Sequence, residues 1–187
     1  MSNNISFKAE FISPSIIKKA STGKEIRTSF VELKSKCSKD RIALNGVESQ
    51  WGEGNTFATG ILSDFEKSTY DYTPNKKYFA LTLQNKQWNE LIPKKILGLA
   101  EIIQGEGRIK LKYLQADPKH NMHSAKRKFT GIGTAILNTL KSLFPQHDIV
   151  LQTAESARDF YIANGFEEIG KENEMIFRHS KEADLPK

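Results

Sequence analysis

One cysteine, Cys37, stands in 187 residues. No intrachain disulfide can form, and no cysteine-based metal site can be built. The fold must hold through a packed core, and a reducing, cytoplasmic compartment is the expectation. No apolar run reaches eighteen residues, so the sequence predicts no membrane span. The opening stretch MSNNISFKAEF lacks the basic-then-apolar design of a secretory signal. Repeats and low-complexity segments are missing. So is the phosphate string of Gly, four residues and Gly-Lys-Ser/Thr. The three-glycine dinucleotide fingerprint also fails, because Ile136 occupies its third glycine position. Signatures of common RNA- and DNA-binding modules are lacking, which counts against a nucleic-acid binder built on the basic loop 119–128.

Enough remains for one core. A chain of this length, 38% hydrophobic and 27% charged, reads as a single globular domain over about residues 1–180, with a loose polar tail at 181–187. The formal net charge of +6 fits either an anionic partner or a plainly solvated basic surface.

Residues 5–17 read as extended segments broken at Ser13-Pro14, and Ser29–Leu33 as a short strand. Ile42, Leu44, Val47 and Trp51 suggest a helix over 41–51, which GEGN (52–55) ends. Phe57, Ile61, Leu62 and Phe65 give a second helical face, and 69–77 reads as a loop. YFALTL (78–83) and the nearly continuous apolar run ILGLAEII (96–103) predict strands, the latter covered on both faces. After the reversal at Gly105–Gly107, RIKLKYLQA (108–116) alternates. Ile109, Leu111 and Tyr113 are expected on one face, Lys110, Lys112 and Leu114 on the other. A helix follows with a stripe of Ile132, Ile136, Leu140 and Leu143, stopped by Pro145. Ile149–Leu151 predicts a short strand. Ser156–Asn164 predicts a helix carrying Ala157, Phe160, Tyr161 and Asn164 on one face, closed by Gly165. A last strand is expected at 174–177. The order predicts an α/β (α+β) architecture, a central mixed sheet flanked by helices.

The stretch KRKFTGIGTAIL (126–137) joins three cations, two glycines and a helix start. A helix start leaves backbone N–H groups unpaired at the positive end of the helix dipole, and glycine lets backbone approach a ligand closely. A phosphate would bind there. An ordinary capping and packing role for both glycines is the competing reading.

The wider pattern resembles the GNAT superfamily of acyl-CoA-dependent N-acetyltransferases. The resemblance rests on KFTGIG (128–133) opening a helix, LQADP (114–118) before it, and Ala157, Tyr161, Gly165 and Phe166 in ARDFYIANGF after it. It runs clearly over 96–177. Lys128 stands where the family has Arg or Gln, the loop 118–128 is longer than the compact family form, and Ala154 replaces a common Asn. The resemblance implies acyl transfer from acetyl-CoA, as cosubstrate and without a metal, to an amine on a small molecule or a protein. It implies that two parallel strands, 108–116 and 149–153, splay around the pantetheine arm, which pairs near Leu114, Gln115 and Ala116. It implies that Lys128, Phe129, Thr130, Gly131, Ile132, Gly133 and Thr134 form the pyrophosphate loop, and that Tyr161 is the general acid. A core tyrosine is the competing reading of Tyr161. For the general base, Glu101 is one candidate and a water relay another; His120 and His123 have a useful titration range but sit in the long loop. Lys119, Lys126 and Arg127 could reach the ribose phosphate or simply be solvated. A non-catalytic acyl-CoA-binding module is the main alternative function. A homodimer is compatible with all of these readings.

Overall fold

The apolar run read as a doubly covered strand is the centre of the molecule. The computed structural model describes residues 8–52, 56–70, 75–85, 89–121, 124–170 and 173–179. Its elements are β1 (Glu10–Lys19), β2 (Glu25–Leu33), α1 (Ser38–Trp51), α2 (Thr56–Tyr70), β3 (Lys76–Thr82), β4 (Ile96–Gln104), β5 (Arg108–Ala116), β6 (Phe129–Thr130), α3 (Ile132–Leu143), β7 (Asp148–Gln152), α4 (Arg158–Ala163), β8 (Glu167–Ile169) and β9 (Glu174–Phe177). Three 3-10 turns interrupt the connections at 93–95, 118–120 and 155–157. Among the described residues no helix is long and apolar enough to cross a membrane.

One sheet has the order β6-β1-β2-β3-β4-β5-β7-β9-β8. All neighbours are antiparallel except β5 and β7. Two apolar clusters cover its faces. On one, α1 and α2 bury Ala43, Leu44, Val47, Trp51, Ala58, Ile61 and Phe65 against Val31, Ala80, Ile96 and Leu99. On the other, α3 and α4 bury Ile132, Ile136, Leu137, Leu140 and Tyr161 against Phe30, Phe79, Ile102, Ile109 and Leu111. At the start of α1, the buried Asp40 carboxylate accepts the backbone N–H groups of Ala9 (3.2 Å) and Lys34 (2.9 Å). That ties the entry to β1 and the exit of β2 to one helix.

Several expectations need correction. Ser13-Pro14 does not break the first strand. The register shifts between Phe11 and Ser13, and the strand continues. Proline is tolerated because β6 pairs only with Lys18 and Lys19, leaving the Pro14 side of β1 an open edge that needs no N–H. The strand at Ser29 starts earlier, at Glu25. Ile42 is 66% exposed, because α1 turns its Ala43 side to the sheet, and Phe57 is half exposed. Leu143 is likewise exposed, and Leu137 takes the buried place. β6 and β8 are strands that no local pattern announced. The expectations at 5–7, 53–55, 71–74 and 180–187 lie outside the described residues.

The largest correction concerns β5. Glu101 pairs with Tyr113, but Ile102 pairs with Leu111, so Lys112 is one residue too many. Such a bulge bends the strand and reverses its alternation beyond that point. Ile109 and Leu111 therefore face α3, as does Leu114, while Tyr113 packs with the α1/α2 cluster.

Helix α3 lies close to the sheet because Gly98 of β4 has no side chain. A Cβ there would sit 2.7 Å from Ile136 Cδ1, 2.9 Å from Ile132 Cγ2 and 3.2 Å from the Gln115 carbonyl oxygen. Gly98→Ala is expected to lower stability by about 1–3 kcal/mol through overpacking. Urea unfolding measures this, and an unchanged midpoint would mean that the two isoleucines repack freely.

Candidate active site

Strand β5 is longer than its pairing with β7. The parallel ladder runs from Arg108–Asp148 to Leu111–Leu151 and stops, while β5 continues to Ala116 along β4. Among the described residues, the side of β5 away from β4 has no neighbouring strand from Lys112 onward. Alternate backbone N–H and C=O groups point into that gap. The sequence-nominated Leu114, Gln115 and Ala116 lie on this open edge, half-buried and opposite Ala100, Leu99 and Gly98.

The start of α3 lies over the same end of the sheet, since Ile132 packs above Gly98, the partner of Ala116. Gly131 is the N-cap at φ 78°, a left-handed conformation that favours glycine, and no side chain caps the helix. The first intrahelical bond is Ala135 N–H to the Gly131 carbonyl (2.8 Å). The N–H groups of Ile132, Gly133 and Thr134 therefore have no intrahelical acceptor. The two glycines divide their tasks. A Cβ on Gly131 would meet nothing within 4 Å, whereas one on Gly133 would sit 2.7 Å from Phe160 Cζ. Gly133 is thus a packing glycine between α3 and α4, and Gly131 is the open one.

Ahead of the helix, Phe129 and Thr130 pair with Lys19 and Lys18 as β6, and Ala20 N–H donates to the Lys128 carbonyl (2.8 Å). The nominated loop is therefore clipped to the end of β1. Lys128 is exposed. Its N–H donates to His120 Nδ1 (3.4 Å), and the His120 ring meets Phe129 edge-on. Burial and the neighbouring Lys128 and Lys119 hold His120 below the usual imidazole range, although Asp117 opposes them. Arg127 Nε donates to the Phe129 carbonyl (3.4 Å), while Lys119 and Lys126 are exposed. His123 lies outside the described residues.

Tyr161 stands on α4, 9% exposed, with its ring between Phe160 and Phe166. Burial alone pushes its phenol up to about 12, so it holds its proton across the physiological range. Its carbonyl accepts Phe166 N–H (3.1 Å) while Ile162 accepts Gly165 N–H (2.8 Å). This is the double bond of a helix end closed by a left-handed glycine, Gly165 at φ 79°. That end sets where Tyr161 sits relative to the sheet.

Glu101 is on the opposite face, fully buried under α2. Lys112 Nζ lies 3.6 Å from its Oε1 and in direct contact with Asp64 of α2, which also pairs with Lys76 (3.3 Å). Neither Glu101 oxygen accepts a hydrogen bond among the described residues. Burial, and then the Asp64 carboxylate beside it, push Glu101 up to about 8 against the pull of Lys112 and Lys76. For Asp64, burial is outweighed by Lys112, and its carboxyl is held below the usual range. Tyr78, bonded to Ser68 Oγ (2.8 Å), is pushed up by burial. Sequence reasoning missed Asp64, Lys112 and Tyr113 as members of this cluster. Asp64 had one signal: it follows Ile61 by three residues, a charge on an apolar helical face.

No protein-family model matches the sequence, and no curated protein matches it. Solved structures do match. The ribosomal-protein-S18-alanine N-acetyltransferase of Escherichia coli superposes with a TM-score of 0.54 at 16% identity, covering 86% of this chain and 99% of that one. Tetrahymena GCN5 gives 0.51 at 10% identity, with 93% and 100% covered. The chain has the fold of the GNAT acetyltransferases. A GNAT-family acetyltransferase of Staphylococcus aureus Mu50 shares this fold at TM-score 0.51 and 17% identity, with 82% and 99% covered.

The Glu101 carboxyl has a testable sign. Its folded value, about 8, lies above its ordinary 4.5, so the fold favours the protonated form. Its stabilising contribution is complete below about pH 4.5 and is lost as pH rises through about 8. Glu101→Gln should remove that loss. The variant should gain melting temperature relative to the native protein at pH 8.5 and little at pH 5, and an equal difference at both values would contradict the assignment.

Proposed function

We propose that this protein is an N-acyltransferase that moves an acyl group, with acetyl as the reference case, from acyl-CoA to a primary amine. One observation carries the reading: an unpaired strand edge, Lys112 to Ala116, ends beside an uncapped helix start, Ile132 to Thr134. A pantetheine arm is a chain of amides suited to the first, and a pyrophosphate is an anion suited to the second. The N–H groups of Ile132, Gly133 and Thr134 would hold the diphosphate, with Gly131 leaving room and Lys128 adding charge. Phe129 and Thr130 position this loop through β1.

A thioester is already activated, so the enzyme's work is alignment and proton traffic. Tyr161 lies on the α3/α4 face of the sheet and Glu101 on the α2 face. In this reading the acceptor amine approaches from the α2 side and Glu101 takes its proton. The amine attacks the carbonyl carbon, the C–S bond breaks, and Tyr161 donates to the departing thiolate. A phenol held at about 12 keeps a proton to give until the thiolate forms. A carboxyl near 8 is a competent base at mildly alkaline pH, so turnover should rise up to about pH 8.

The test combines binding with chemistry. CoA at a hundredfold over its dissociation constant should stabilise the fold by about 2.7 kcal/mol in a thermal-shift titration. Tyr161→Phe should bind CoA normally yet release thiol from acetyl-CoA, across a panel of primary amines, about 10²–10⁴-fold more slowly. Equal turnover by that variant would remove Tyr161 as the acid. CoA binding without thiol release from any amine would leave an acyl-CoA-binding module, and no response to CoA would end the reading.

A further inference from the structure

The bulged residue of β5 is a lysine that stands where the parallel ladder to β7 ends. Lys112 has no partner on β4, and it directly follows Leu111, the last residue of β5 paired to β7. Its side chain turns toward α2, where neighbours from three elements surround the ammonium. Asp64 of α2 touches it, Glu101 Oε1 of β4 lies 3.6 Å away, and the Tyr113 ring centroid of β5 lies 4.9 Å away. Lys76 of β3 shares Asp64, and Tyr78 of β3 lies opposite Glu101 with its hydroxyl on Ser68. Two carboxyls and an aromatic face are what a site for a primary ammonium requires. The Glu101 oxygens accept no hydrogen bond among the described residues, so the buried carboxyl has capacity left to take a proton. The Lys112 side chain is 28% exposed, so the cluster is reached by solvent rather than sealed.

We propose that Lys112 is itself an acyl acceptor, modified at Nζ by acyl-CoA bound in the gap between β5 and β7. This rests on the acyl-CoA reading above. In the step, the Lys112 ammonium gives one proton to ionised Glu101, and the free amine attacks the thioester carbonyl. Burial favours that release, but Asp64 and Glu101 outweigh it and hold Lys112 above its ordinary value, so the free amine is a minor form that acyl-CoA must trap. The C–N bond forms as the C–S bond breaks. The sulfur leaves as thiolate and is protonated by Tyr161, which regains a proton from the one that the nitrogen sheds. The products are N-acyl-Lys112, CoA thiol and a neutral Glu101. Acylation cancels the Lys112 charge and leaves Asp64 with Lys76 as its remaining cation in this cluster.

The experiment incubates the purified full-length protein with acetyl-CoA and follows acetylation of each lysine by peptide mass mapping. Thermal-shift titration with acetyl-CoA is run on the same sample. Exposed Lys39 and Lys67, away from the nominated loop, report the chemical background. Acetylation at Lys112 should outpace both by roughly tenfold or more, because the reactants are held together. It should be suppressed by excess desulfo-CoA and should keep accelerating as pH rises above about 8, where Glu101 is ionised and a growing fraction of Lys112 is free amine. Lys112→Arg, which keeps the charge beside Asp64, should show only background acetylation. If acetyl-CoA stabilises the protein but Lys112 is labelled no faster than Lys39 and Lys67, the self-acylation proposal is overturned and the acyl-CoA reading stands. If acetyl-CoA gives no stabilisation, both fall.

Discussion

One extra residue in β5 organises this molecule. Without a bulge at Lys112, β5 would keep its alternation and present Tyr113 to α3 and Lys112 to the same side as Leu114. With it, the strand bends just where its parallel ladder to β7 ends. Lys112 stays on the α2 face as it would in a regular strand, Tyr113 joins it there, and Leu114 goes to the other. The aromatic ring in the polar cluster under α2 and the leucine in the apolar floor under α3 both follow from this irregularity, which falls where the gap begins. Glu101 is part of it as well, since its partner across the ladder is Tyr113, the first residue past the extra one.

Sequence patterns reached far into this fold where the signal is local. The apolar run at 96–103, the helix opened by Gly131 and the helix closed by Gly165 all depend on periodicity or on one glycine's conformation, and all three are where they were expected. The bulge left no trace in the pattern, because Ile-Lys-Leu-Lys-Tyr alternates equally well with or without it. β6 and β8 are two and three residues long, and only their partners make them strands. Helix faces failed at single positions. Ile42 and Leu143 are apolar residues at helical spacing that packing left outside, and a stripe read from spacing alone cannot tell a helix's centre from its edge. For the candidate site, the residues read from KFTGIG and YIANGF fall at a helix start and on a buried helix face. The Asp64–Lys112–Glu101 cluster was invisible, because its members come from three separate segments brought together only by the sheet.

The two glycines of the loop show how one short motif holds two physical requirements. Gly131 answers a conformational demand, a left-handed turn ahead of a helix with no capping side chain. Gly133 answers a steric one, the ring of Phe160 pressed against α3. The second requirement links the loop to α4, the helix that carries Tyr161. Any change in how α4 sits is therefore transmitted to the helix start through an aromatic ring in contact with backbone. Gly98 does the same from below, holding α3 against the open end of β5.

The two-residue ladder between β6 and β1 has a consequence for folding. Lys18 and Thr130 are separated by more than half the chain, so their pairing closes a very long loop and gives back only a few hydrogen bonds directly. Closures of this kind come after the local elements they join. The helix start above the gap is thus completed by a contact with the N-terminal hairpin, far from it in sequence. Ligand binding at that helix start would then report the integrity of the opposite end of the sheet, and damage to β1 would be felt as lost affinity before it was felt as lost fold.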